Sequence, residues 1–223
     1  VDTGTTSGGA PGGLPVYKAT ITDMNIGEAF DVDWSWDTGS GIFSAESTWT
    51  VDALTDSALT LSISVSNTSP QPGLSTGGIA SIGFGIDPDA TSVAFATGGA
   101  GTEFDSTGFA FVPGFNGEVE ICAWTANSCA GGGQNSLLAI GDSDVFTLQV
   151  GGNFADGNGG QTLMLDQFAL KTQTNVGSFE LPGAPPGGNP PGGGPPGNVP
   201  TPMTLALLGI GLVGIGASRR RRK

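Results

Sequence analysis

Between residues 16 and 181 the chain reads as short runs in which apolar and polar positions alternate, separated by turn-rich breaks. In "AFDVDWSW", Phe30, Val32, Trp34 and Trp36 fall on one side and Asp31, Asp33 and Ser35 on the other. In "ALTLSISVSN", Leu59, Leu61, Ile63 and Val65 line one side. A period of two is that of a strand with one buried face. "VYKATITD" alternates as well, and "FSAESTWTV", "ASIGFGI", "TSVAFAT", "GFAFV", "GEVEICAW", "DVFTLQV", "LMLDQFALKT" and "GSFEL" are further strand candidates. "SNTSPQPG", "DPDA", "PGFNGE" and "ADGNGG" supply the turns between them. No helical stripe runs through this region. The expected fold class is all-β: an antiparallel sandwich or jelly roll over residues 16–181. Trp34, Trp36 and Trp49 are expected in its core or half-buried on a sheet, the functional alternative being an aromatic platform for sugars.

The ends differ in kind. Residues 1–15, "VDTGTTSGGAPGGLP", carry no apolar period and are expected to be a flexible lead-in. Residues 182–200 are mostly proline and glycine, the composition of an extended, semi-stiff tether. Residues 203–218 are uncharged and apolar. As a helix they would reach about 24 Å at 1.5 Å per residue, short of a hydrocarbon core roughly 30 Å thick. The run "RRRRK" follows at once, from Arg219 through Arg220, Arg221 and Arg222 to Lys223. Long cationic side chains snorkel to the interface, extend such a span and mark its cytoplasmic end. The expectation is a single short C-terminal transmembrane helix, with the tail inside and the body outside.

The series of tether, short proline-containing box, apolar helix and arginine cluster closely resembles the PEP-CTERM sorting signal of Gram-negative bacteria, which an exosortase processes. Val199, Pro200, Thr201 and Pro202 match the family's Val-Pro-Glu-Pro box, with Thr201 standing where Glu is usual. Thr204-Leu205-Ala206-Leu207-Leu208-Gly209 matches the helix start, and Arg219 to Arg222 the cluster. A sortase signal of the Leu-Pro-x-Thr-Gly kind fits less well, since "LPGAP" at Leu181 lacks the Thr-Gly pair and lies too far from the helix. The body is similar to the β-rich ectodomains of the cistern group within that family, on its paired cysteines and its "GDSDVFTLQV" region. The resemblance implies an inner-membrane intermediate, cleavage near residues 199–203, release to the cell surface or matrix, and a role beside extracellular polysaccharide in biofilm or floc formation.

Charge sharpens the picture. The chain has 7 basic and 20 acidic residues and no His. Five of the cations sit in the terminal run, so the body keeps only Lys18 and Lys171 and carries −18. Such a body repels nucleic acid and anionic lipid. Without His, no Ser-His-Asp or Cys-His set can form. The acids offer many pairs for glycoside hydrolysis, but no local motif singles one out, so no catalytic residue is assigned. The chain starts at Val1 and is read as a processed form whose export signal is gone. In an exported chain Cys122 and Cys129 read as a disulfide closing a small loop, worth roughly 2–3 kcal/mol for about eight residues. Turn carboxylates at Asp87, Asp89, Asp142, Asp144 and Asp156 are candidate Ca²⁺ ligands, against the alternative of solvated turn residues. Three functions remain in view: a structural or adhesive surface protein, a carbohydrate-binding module that could use Ca²⁺, and a glycan-active enzyme.

Overall fold

The computed structural model describes residues 1–10, 14–70, 74, 76–115, 119–125, 128–131 and 136–187. The chain divides after Gly193, and everything beyond residue 187 lies outside the described residues. That places tether residues 188–200, the Val199–Pro202 box, the apolar stretch 203–218 and the Arg219–Lys223 run out of view. Among the described residues no helix is long and apolar enough to cross a membrane.

The body is all-β, built from two antiparallel sheets. Its strands are β1 (Asp2–Ala10), β2 (Leu14–Thr22), β3 (Ala29–Asp37), β4 (Ile42–Leu54), β5 (Ala58–Asn67), β6 (Gly77–Asp87) and β7 (Ser92–Phe95), then β8 (Ser106–Phe109), β9 (Ile121–Trp124), β10 (Leu138–Ala139), β11 (Ser143–Gly151), β12 (Thr162–Thr174) and β13 (Gly177–Pro182). The large sheet runs β1-β2-β12-β6-β9-β8, with β10 added to β6 and β13 to β12. The small sheet runs β3-β4-β5-β11-β7. Among the described residues the only helical piece is the 3-10 turn Asp23–Asn25.

Alternation becomes packing directly. Leu59, Leu61, Ile63 and Val65 on β5 are all fully buried, while their polar neighbours are half-exposed. Phe30, Val32 and Trp34 on β3 are buried, and Trp36 is only partly covered. Trp49 of β4 packs across to the large sheet. Its ring meets Phe84 of β6 and Phe168 of β12 edge-on, each at 5.2 Å, and stacks on Phe30 at 6.0 Å. Its indole N–H donates to Ser47 Oγ at 2.7 Å, and Ser47 Oγ–H donates to the Val32 carbonyl, so the buried dipole is satisfied.

The first residues depart from expectation. Asp2–Ala10 is not a structureless lead-in but strand β1, paired from Asp2↔Thr20 to Ala10↔Leu14. A strand added to a sheet edge is held by its backbone ladder and needs no apolar period of its own. Val1 packs on the core, and its terminal amine pairs with Glu28. The folded body therefore includes residues ahead of 16, and it continues past 181 through an Ala184–Asp33 bridge.

β12 shows why the large sheet is broad. Thr162–Leu165 pair with β2, whereas Ala169–Thr174 pair with β13 along the same edge. The switch occurs at an irregularity where Gln167 adopts φ 49°, an uncommon conformation for a residue with a side chain.

Candidate functional site

The large sheet is buried on both faces around β6 and β12. One face joins the inter-sheet core. The other carries a second apolar cluster of Val112, Phe115, Val119, Cys122, Cys129 and Ala169. The split follows the pleat: Ile121 and Ala123 point to the main core, and Cys122 points to the second cluster. Residues 110–115 and 119, together with Cys129, thus form a roof. Gly83 in β6 makes room for it, since a Cβ there would lie 2.7 Å from Val119 Cγ1 and 2.9 Å from the Ile121 carbonyl.

Cys122 and Cys129 are bonded to each other, with Cα atoms 6.2 Å apart. The closed loop is pinned to the sheet by Ser81 Oγ–H, which donates to the Cys129 carbonyl at 2.8 Å. Gly131 follows in the left-handed region at φ +87°, and a Cβ there would lie 2.8 Å from Lys171 Cε. The loop end therefore rests on the Lys171 stem.

Lys171 of β12 and Glu180 of β13 stand directly opposite each other in register, on the roofed face. Nζ of Lys171 donates to Oε1 of Glu180, and the side chains are only 7% and 17% exposed. Gly114 of the roof lies over Glu180, its hypothetical Cβ 3.7 Å from Glu180 Cβ. One of the body's two lysines is thus held in a largely buried ion pair. Nothing in the alternation of "LMLDQFALKT" identifies that partner.

The sequence-predicted carboxylates do not converge. Asp144 is buried and accepts four backbone N–H bonds: Thr102 and Val145 on Oδ1, Glu103 and Phe104 on Oδ2, at 2.8–2.9 Å. Burial pushes its carboxyl up, but the four donors together outweigh that and hold it below the usual aspartate range. Asp156 is exposed and accepts from the Asn158 and Gly160 backbone within its own turn, which lowers its carboxyl too. Asp142 is exposed at the start of β11. Asp87 and Asp89 are exposed in the turn after β6, beside a third carboxylate that the sequence did not single out, Glu120. Glu120 accepts from Ile86 N at 3.0 Å, yet burial first, and then the Asp89 and Asp87 charges, push its carboxyl up. Among the described residues no group of three or more acidic or cysteine side chains is placed to hold a metal ion.

The aromatics divide as well. Trp34 and Trp49 belong to the core and offer nothing to a sugar. Trp124 is half-buried on β9, the six-membered end of its indole close to Gly108 of the edge strand β8. Phe109 and Phe111, just beyond, are 54% and 61% exposed. Their signal in sequence was "GFAFV", read there as one strand, but β8 ends at Phe109 and the chain turns into the roof. Comparison with family models, curated proteins and solved structures finds no match for the chain.

Proposed function

We propose that this is an exported surface or matrix protein sorted by an exosortase, with a structural or adhesive role alongside extracellular polysaccharide. The observation that carries the reading is the order of parts in residues 182–223: tether, Val199–Pro202 box, uncharged stretch 203–218 and Arg219–Lys223 run. On this reading residues 203–218 form a transient inner-membrane helix with the body outside, and cleavage near residues 199–203 frees the body. The Cys122–Cys129 bond supports an oxidising destination, since such bonds persist where thiols are not kept reduced. A body at −18 with no His favours an uncharged or cationic partner and a role that is not catalytic. The test is the intact mass of protein recovered from the matrix of producing cells. Loss of the tail, abolished when the exosortase is deleted, is expected. A secreted bulk that still carries "RRRRK" overturns the reading.

The second reading is a carbohydrate-binding module, favoured by the exposed Phe109 and Phe111 at the end of the edge strand β8. Glycan-array binding, with and without a chelator, tests it. Loss of binding in Phe109→Ala and Phe111→Ala is the expected result, and a body that binds no glycan removes this reading.

A further inference from the structure

We infer that Lys171 and Glu180 condense to an amide that covalently joins β12 to β13. Three features of the site converge on this. The residues are directly opposed on adjacent antiparallel strands, and Nζ already contacts the carboxylate. Both side chains are largely covered, at 7% and 17% exposure, Lys171 under Gly131 just after the disulfide and Glu180 under Gly114 of the roof. The pair also borders the apolar cluster, through Ala169 two residues before Lys171.

The chemistry balances within the pair. One ammonium proton crosses the existing hydrogen bond to the carboxylate, leaving an amine and an acid. Nζ then adds to Cδ of Glu180, the Nζ–Cδ bond forms, and one Cδ–O bond breaks. That oxygen leaves with two of the three ammonium protons as water, and one hydrogen remains on the amide. Net charge is unchanged, nothing is oxidised or reduced, and no co-reactant is needed. In open water this condensation is disfavoured. Holding the groups in contact raises their effective concentration to roughly 10⁵–10⁸ M in well-oriented cases, and the roof restricts the water that would reverse the step. The product also replaces two buried charges, each costly to desolvate, by one neutral amide.

The bond would lock the last strand of the body, whether or not the sorting reading holds. The test uses the full chain, purified from cells, reduced and denatured. Its intact mass is expected to fall one water short of the sequence mass. Trypsin, which needs a free lysine amine, is expected to leave the chain uncut after Lys171. The Lys171→Arg variant keeps the positive charge and the ion pair but cannot form this amide, so it is expected at its full sequence mass and cut at residue 171. A native chain at full mass and cut after Lys171 overturns the inference, leaving an ion pair. So does a missing water that persists in Lys171→Arg, because the dehydration then lies elsewhere.

Discussion

Asp144 offers the sharpest test of how this body holds its loops. It sits on β11 and gathers Thr102, Glu103 and Phe104 from the loop between β7 and β8. Replacing it by Ala removes all four charge-assisted bonds. The Phe104 N–H is buried and loses its partner outright, at about 2–3 kcal/mol, while the other three are partly exposed and are rehydrated at about 0.5–1 kcal/mol each, giving a total of roughly 3.5–6 kcal/mol. Asp144→Asn keeps one accepting oxygen and turns an NH₂ toward two N–H donors, so it should lose at least half as much. The pH dependence has a defined sign. A carboxyl held below its unfolded value of about 3.9 adds stability that is complete above that value and is lost as pH falls through the folded one. Urea denaturation followed by tryptophan fluorescence, at neutral pH and again near pH 2–3, reads both effects. The gap between wild type and Asp144→Asn should narrow in acid. A loss below about 1 kcal/mol for the Ala variant, or a gap that does not change with pH, refutes the reasoning.

Three further outcomes follow from the roof and its surroundings. The paired Cys122→Ala/Cys129→Ala variant should lose roughly 2–3 kcal/mol in denaturant titration and gain protease cleavage within residues 122–131. Glu120→Gln should raise the melting temperature at neutral pH, because a carboxyl pushed upward by burial and by Asp89 and Asp87 destabilises the folded state when ionised. That advantage should fade as pH falls through the raised value and Glu120 itself becomes neutral. Gly83→Ala should cost about 1–3 kcal/mol by overpacking against Val119 and the Ile121 carbonyl, with a lowered denaturation midpoint as the readout.

The small sheet was the legible part of this chain. β5 comes out with the same limits as its alternating run, residues 58–67, because one face meets core and the other meets solvent. The large sheet was harder, since strands covered on both sides lose their alternation, as β6 does from Gly78 to Ile86. β1 was invisible because a backbone ladder has no side-chain signature. The roof cluster joins Val112, Phe115 and Val119 to Ala169, residues far apart in sequence that share no period. The Lys171–Glu180 opposition had one usable signal. The turn at Asn175 and Val176 joins β12 to β13 and fixes their register, which sets residue 171 against residue 180. Of the predicted chemistry, the disulfide was readable from cysteine count and spacing. The aspartates were not, because whether a carboxylate faces solvent or caps backbone donors depends on which loop folds over it.

The Ala184–Asp33 bridge bears on mechanics. Two backbone bonds of 2.9 Å tie the chain, just after the last strand of the large sheet, to the first strand of the small one. Gly187 N–H adds a third tie, to the Asp33 carboxylate. Tension arriving from the chain beyond residue 187 would therefore meet a clasp across both sheets before it reached the β12–β13 hairpin. A pull that would otherwise peel β13 away one hydrogen bond at a time must first break a cluster of bonds loaded together. The molecule should yield to such a force in one abrupt step at this clasp, with the hydrophobic core still closed when it gives way.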